Sequence, residues 1–485
     1  MNHLQQIKSH LKEYAILKSL QSLMHWDMET MMPAGAIEDR AERLSYIQGK
    51  IHEHLNSKIY IKEVKKFSKQ KLSNLEKKLA QELEWDLKIA TALPKKHVLA
   101  LSHAATIANH HWSQAKKNND WKSFQPHLQK LIDLKRAETK YYDEKLPYDS
   151  LIKLHDKEFD SKKIQILFSD LRAGLLDIIN DVKKDATFTK IKKIKGPFDL
   201  TAQEEINLQI AELFGLSKDF SRLDVSTHPF SINISPNDQR ITTRYSKDNL
   251  DSLFSTMHEV GHAIYEHNLP ADWEGTPFQE SISLSVHESQ SRFWENIIGR
   301  SKEFSHFIHP VLKKKFVKSM SGVSVEDLYR FFNYSTPGLI RVESCELYYN
   351  MHVIIRFEIE EMIFNHKLQA KDIPAIWNEK YKHYLGLAPK NFSEGILQDS
   401  HWAGAAFGYF PTYTIGNLIS GSLYQKMKKS MPRFHKNVQK GDFKEINGYL
   451  KDHIHSKGRS INIKEIVGEI KVNDYLTYLK EKFEV

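Results

Sequence analysis

Cysteine is nearly absent from this chain: Cys345 is the only one among 485 residues. No intramolecular disulfide can form, so crosslinks are excluded as a source of stability. That usage fits a reducing compartment, and a cytoplasmic protein is expected. Glycine (20) and proline (15) are also scarce. Few breakers, with abundant Leu, Lys, Glu, Ile and Ala, predict long helices. No run approaches the roughly 18 apolar residues of a membrane span. The N-terminal stretch MNHLQQIKSHLKEYAILKSL lacks the apolar heart of a signal peptide. No membrane partner is expected.

What is present is a globular composition, 40% hydrophobic and 27% charged, which excludes a disordered chain. The formal net charge is +9, much of it in lysine runs such as KEVKKFSKQK (63–72) and KKIKG (192–196). Runs of this kind are solvated faces and loops. Without an aromatic-basic motif or zinc-finger spacing they carry no case for a nucleic-acid partner. A mild positive field can still draw in an anionic substrate.

The first 225 or so residues read as successive amphipathic helices, as in LIDLKRAETKYYDEKL. In GPFDLTAQEEINLQIAELFGL, Thr201 with Glu204 predicts a capping box, and Gly215 predicts the stop. The one clear β signal is HPFSINISPNDQRITTRYS (228–246). Phe230, Ile232 and Ile234 alternate with polar residues, Pro236-Asn237-Asp238 turns, and Arg240, Thr242 and Arg244 share a face of the return strand. We expect one catalytic unit over 1–485, with a helical N-terminal lobe over about 1–225 and a catalytic lobe over about 226–485.

The hairpin runs into SLFSTMHEVGHAIYEHNLP (252–270). Leu253, Met257, Val260, Ala263 and Ile264 make an apolar helical face, and Pro270 follows the end. On such a helix His258 and His262 lie one turn apart and can share a cation. Glu259 is then angled toward a water on that ion, as a general base. A catalytic zinc needs a third ligand and an open position. The next predicted helix, GTPFQESISLSVHESQSRFWENIIG (275–299), starts with Thr276 as N-cap, Pro277 at the first position and Gln279 completing a capping box. It offers Glu280, Glu288, Glu295 and His287. Spacing puts the three glutamates on roughly one face; the middle of the helix favours Glu288, with Arg292 one turn on.

Several further stretches surround this core. HEVGHAIYE is followed by GTP and HESQSRFWEN. HWDMETMMPAGAIEDRAE (25–42) has the form HWD-x-ET-x-MP, and DQRIT (238–242) the form D-x-R-x-T. IRVESCELYYNMHVIIRFEIE (340–360) is similar to an IR-x-x-AD segment. GILQDSHW (395–402) has the form G-x-x-QD-x-HW, followed by FGYFPTYTIGN (407–417). In this order, over nearly the whole chain, they resemble the carboxypeptidase Taq family of metallocarboxypeptidases. The resemblance implies that Glu288 is the metal glutamate. It implies a mainly α, large multi-helix peptidase fold with a deep central groove and a small β-hairpin or sheet near the active site, usually a homodimer. It implies removal of single C-terminal residues from peptides with a free carboxylate, with broad preference and poor tolerance of proline. One Zn(2+) per subunit is expected, with Co(2+) or Mn(2+) as possible substitutes.

A terminal carboxylate calls for arginine, and Arg240 and Arg341 are the candidates. Charge developing on the scissile carbonyl calls for a donor, and His401, Tyr409 and Tyr413 are the candidates, with Asp399 placed to hold the His401 tautomer. The strand edge near Arg240 is a candidate support for an extended substrate. One departure stands out: Ser344-Cys345 replaces the Ala-Asp of IR-x-x-AD. An aspartate four residues after Arg341 on a helix would pair with it, and the thiol of Cys345 does not. Weaker or altered recognition of the terminal carboxylate is the expectation. The rival readings are a zinc endo- or oligopeptidase, and a zinc-binding protein without activity.

Overall fold

The computed structural model describes residues 2–226 and 228–485. Among them are twenty α-helices and one three-stranded sheet, as the shortage of breakers requires. No described helix is long and apolar enough to cross a membrane. The chain forms two compact units, each gathered from separated stretches. One comprises Met1–Thr91, Lys192–Phe332 and Ile419–Ile470; the other comprises Ala92–Ile191, Asn333–Leu418 and Lys471–Val485.

In the first unit, Ile7, Leu11, Tyr60, Val64, Phe67, Leu79, Leu83 and Phe278 close a core between the N-terminal helices and a distant loop. The hairpin forms as expected, with β2 (Ser231–Ser235) antiparallel to β3 (Asp238–Thr243). A strand absent from the sequence reading, β1 (Ser221–Val225), pairs parallel to β3. The order is β1-β3-β2, so β3 and Arg240 occupy the centre. Both edges of β3 are taken, and the expected free edge beside Arg240 does not exist. The HEVGH helix (Asp251–His267) packs on this sheet with Leu253, Met257, Val260, Ala263 and Ile264 all buried.

Two predicted caps lie elsewhere. The helix Leu200–Leu213 is capped by Asp199, whose side chain accepts from Ala202 N, rather than by Thr201. Its stop is as predicted: Gly215 has φ +102° just past the end. The segment 275–299 is not one helix. Pro277–Gln279 is a single 3-10 turn, Glu280 is extended, and the helix proper is Leu284–Arg292, capped by Ser283. A π-helical turn, Phe293–Ile298, follows and ends at Gly299. Gln279 accepts from Gly275 N rather than from Thr276 N.

The third stretch of this unit ties the first two together. Arg459 pairs with Glu82 and Asp86 on one side (2.7 and 2.8 Å) and with Glu280 on the other (2.7 Å). His455 meets the Gln290 side-chain oxygen at 2.9 Å. In the second unit the helix Glu346–His366 is buried on nearly every side, its polar Asn350, His352, Arg356 and Glu360 included. The C-terminal helix Val472–Phe483 is pinned to it by the buried Lys482–Glu346 pair at 2.6 Å, and Tyr475 and Tyr478 donate to the same carboxylate.

Close approach of the HEVGH helix to Leu284–Arg292 depends on Gly261. A methyl group there would sit 2.6 Å from the Gln290 carbonyl oxygen and 2.7 Å from the Ser291 Cα. Both are backbone atoms of the neighbouring helix and cannot turn aside. Alanine favours an isolated helix over glycine by about 1 kcal/mol. Gly261→Ala is nevertheless expected to destabilise the unit, by roughly 2 kcal/mol, through overpacking. Urea unfolding would register the opposite sign if helix propensity prevailed.

Candidate metal centre

Helical spacing brings His258 and His262 side by side, their rings 4.9 Å apart and nearly perpendicular. The Gly261 contact then delivers Glu288 from the second helix. Its Oε2 lies 3.7 Å from His258 Nε2 and 3.5 Å from His262 Nε2. All three ligand atoms fall within 4.8 Å of one another. A tetrahedral ion with bonds of about 2.1 Å needs neighbouring donors roughly 3.4 Å apart. The donor set therefore fits a small divalent cation.

The rings are also aimed for it. His258 Nδ1 lies 2.9 Å from Glu295 Oε2. Burial works against that carboxylate, but Arg292 and the His258 ring hold its pKa well below the usual range, so it accepts and Nδ1 donates. His258 Nε2 is left facing Glu288. On the other ring, His262 Nδ1 contacts His287 Nδ1, and His287 Nε2 lies 2.8 Å from Glu266 Oε1. The carboxylate accepts, so His287 Nε2 donates and its Nδ1 accepts from His262. His262 Nε2 keeps its lone pair. Glu266 is itself held by Asn233 Nδ2 at 2.8 Å, which links this chain of hydrogen bonds to β2.

Charge at the centre is unbalanced without a cation. Burial lowers the His258 pKa, but Glu288, Glu295 and Glu259 outweigh it and push the ring up to about 9. A proton satisfies that demand, and a metal ion binding there releases it. Burial pushes the Glu259 carboxyl up to about 7, with His258 pulling the other way. Glu259 is 7% exposed, and among the described residues it accepts no hydrogen bond. A buried carboxylate left without a donor is a group reserved for a proton.

Of the four candidates for the third ligand, only Glu288 reaches the two Nε2 atoms. Arg292 Nε donates to its Oε1 at 2.7 Å and Ser291 to its Oε2. Glu295 and His287 stand behind the ligands instead. Glu280 lies outside the helix, on Arg459. The π turn places Glu295: wide turns of this kind shift the residues that follow, and they recur at functional sites.

The family model for the carboxypeptidase Taq (M32) metallopeptidases matches residues 6–483. The chain belongs to this family. It is 36% identical over 474 residues to thermostable carboxypeptidase 1 of Pyrococcus furiosus, covering 96% of this chain and 95% of that one. It is 34% identical over 487 residues to carboxypeptidase 1 of Bacillus subtilis, covering 98% and 96%. Among solved structures, a Pyrococcus furiosus carboxypeptidase is similar with a TM-score of 0.96 at 34% identity, covering 100% and 99%. The chain is thus a metallocarboxypeptidase, a hydrolase.

Other motifs of the carboxypeptidase make separate constellations. In the first unit, Arg240 Nε and Nη2 grip Asp238 at 2.8 Å each, and the guanidinium stacks on Trp26 at 4.4 Å. The HWD and D-x-R-x-T motifs thereby meet. In the second unit, Arg341 Nε and Nη2 donate to Asp399 Oδ1 (3.1 and 2.9 Å), and Nη1 donates to Tyr349. Arg356, fully buried, takes the other Asp399 oxygen at 2.7 Å. His401 Nε2 meets Tyr413 at 3.0 Å, and Tyr409 packs edge-on against Tyr413. Asp399 therefore serves the two arginines and does not hold the His401 tautomer.

The expected Arg341–345 helical pairing is also corrected. Arg341–Glu343 is a 3-10 turn, Ser344 is extended, and the helix starts at Glu346 with Cys345 as its N-cap. Residue 345 is never one α-turn from Arg341. The Cys345 Sγ lies 3.3 Å from Ser335 Oγ, and burial raises the thiol pKa, so it stays neutral. Asp399 already supplies the carboxylate for Arg341.

Two outcomes are expected. Glu295→Gln weakens metal binding about 10–100-fold by loosening His258, as equilibrium dialysis against a metal buffer will measure. Burial opposes ionisation of Asp399, but Arg341 and Arg356 hold its carboxyl far below the usual range. A depressed folded pKa makes this contribution complete above the unfolded pKa of about 4 and loses it only in stronger acid. At pH 7, Asp399→Asn leaves two buried arginines short of charge and costs about 3–5 kcal/mol in urea unfolding.

Proposed function

We propose that this metallocarboxypeptidase uses one Zn(2+) per subunit to release single C-terminal residues from peptides, with broad preference and poor tolerance of proline. His258, His262 and Glu288 would hold the ion. The observation that carries the reading is Glu259: a buried carboxylate without a donor, one residue from a ligand whose aimed ring nitrogen faces Glu288. When bound, zinc supplies a Lewis acid that makes water acidic near neutral pH and polarises the scissile carbonyl. Glu259 takes the proton of the attacking water and delivers it to the leaving amine nitrogen. Burial keeps the carboxyl's affinity for that proton near neutrality.

Arg240 and Arg341 are proposed to recognise the terminal carboxylate, and His401, Tyr409 and Tyr413 to steady the carbonyl oxygen. Arg240 keeps Nη1 clear of Asp238 and has the more open side chain, 16% exposed against 6% for Arg341. It is the better direct contact for a carboxylate. Co(2+) or Mn(2+) can replace zinc on the same donors. A homodimer and a cytoplasmic location complete the proposal, the latter resting on the single cysteine.

The test compares one peptide with a free C-terminus and as its amide. The amide is expected to lose most turnover, whereas an oligopeptidase would cleave both alike. Glu259→Gln should lower kcat by about 10²–10⁴-fold while metal content stays at wild-type level. Unchanged turnover in that variant would remove Glu259 from the mechanism.

A further inference from the structure

Glu266 lies one turn beyond His262 on the same face of the HEVGH helix, and its carboxylate borders a cavity of about 480 Å³ within the first unit. One helical turn is about 5.4 Å along the axis, and through His287 the Glu266 carboxylate is linked to the ligand His262. One wall is apolar. Ile16 and Leu20 of the helix His3–Thr30 form it, 54% and 46% exposed, facing Ile234 of β2 and Leu269. The other wall carries Glu266, Glu274 and Glu280; Lys18 is the one base in the lining.

These acids are undercompensated. Glu266 has only Asn233 and the His287 ring as partners among the described residues. Arg459 is a single cation shared by Glu82, Asp86 and Glu280. Lys12 meets Glu274 only at 3.6 Å, with both side chains more than half exposed. About half of the Glu280 side chain is open, yet its pKa is raised, first by withdrawal of water in the concavity and then by Asp86, with Glu266 adding to it. An electronegative hollow is therefore set in a chain of net charge +9. A cavity lined by Ile16 and Leu20 together with glutamates suits an aliphatic stem bearing a cation.

We infer that this cavity is a specificity subsite that takes a lysine or arginine side chain of the peptide substrate, its cation placed between Glu280 and Glu266. The inference rests on the carboxypeptidase reading above and adds a substrate class to it. Ile16 and Leu20 cover the methylene stem. Glu280 and Glu266 supply the charge, and Asp86 deepens the potential behind them.

The test separates binding from turnover. Peptides carrying lysine or the neutral isostere norleucine at the last, second-last or third-last position are titrated calorimetrically against metal-loaded Glu259→Gln protein. At one of these positions lysine is expected to bind about two- to fivefold tighter than norleucine, the return from a partly exposed ion pair. Adding Glu280→Gln should erase the difference without weakening the norleucine peptide. Because Glu280→Gln also releases Arg459, Ile16→Lys is a second variant on an exposed position, and it should reverse the preference. The inference falls if lysine and norleucine bind alike at all three positions, or if the preference survives both variants. Turnover of the norleucine peptides by the otherwise wild-type enzyme reads the carboxypeptidase activity separately, so either idea can fail alone.

Discussion

Two helices touch backbone to backbone at Gly261, and the metal centre exists because they do. The first supplies a pair of imidazoles by periodicity alone. The second supplies the carboxylate only if it comes close enough for Glu288 to reach both rings. A side chain at Gly261 would hold the Gln290–Ser291 backbone away. Packing of this kind is stiff, because close-packed interiors do not yield by tenths of an ångström without cost. The position of the third ligand is thus set by a missing atom on the first helix.

Around that contact the fold spends its polar groups on aim. Glu295, Arg292 and Arg300 orient His258; His287, Glu266 and Asn233 orient His262. Among the described residues, the Glu259 carboxylate beside them accepts no hydrogen bond. The contrast between groups that are tied down and one that is not distinguishes the ligand set from the proton carrier, although Glu288 and Glu259 are both buried and near one another. In the second unit Asp399 plays a comparable part, one carboxylate fixing two arginines.

Legibility followed locality. His258, Glu259 and His262 were readable because helical spacing alone brings them together, and the buried face of their helix was readable for the same reason. Glu288 stood among four candidates until family motifs singled it out. Its rivals could not be dismissed from spacing, since the 3-10 turn at Pro277 and the π turn at Phe293 each break the phase on which spacing relies. Arg341 was misread the same way: an extended Ser344 interrupts the helix assumed to join it to residue 345. Strand β1, SRLDV, alternates polar Arg222 and Asp224 with apolar Leu223 and Val225 over only five residues, too short a run to announce itself, and is held by parallel pairing with β3. The partner of Arg341, fifty-eight residues away at Asp399, is a tertiary fact.

His455 and Arg459 have a meaning for the order of synthesis. The ribosome makes the HEVGH helix and the Glu288 helix long before the segment that braces them. His455 grips Gln290, the very residue whose backbone lies against Gly261, and Arg459 clasps Glu280 to the N-terminal helices. Nascent chain emerging before Ile419–Ile470 therefore carries all three ligands but lacks the brace on their spacing. The brace on the ligand spacing is thus the last part of the first unit to be made.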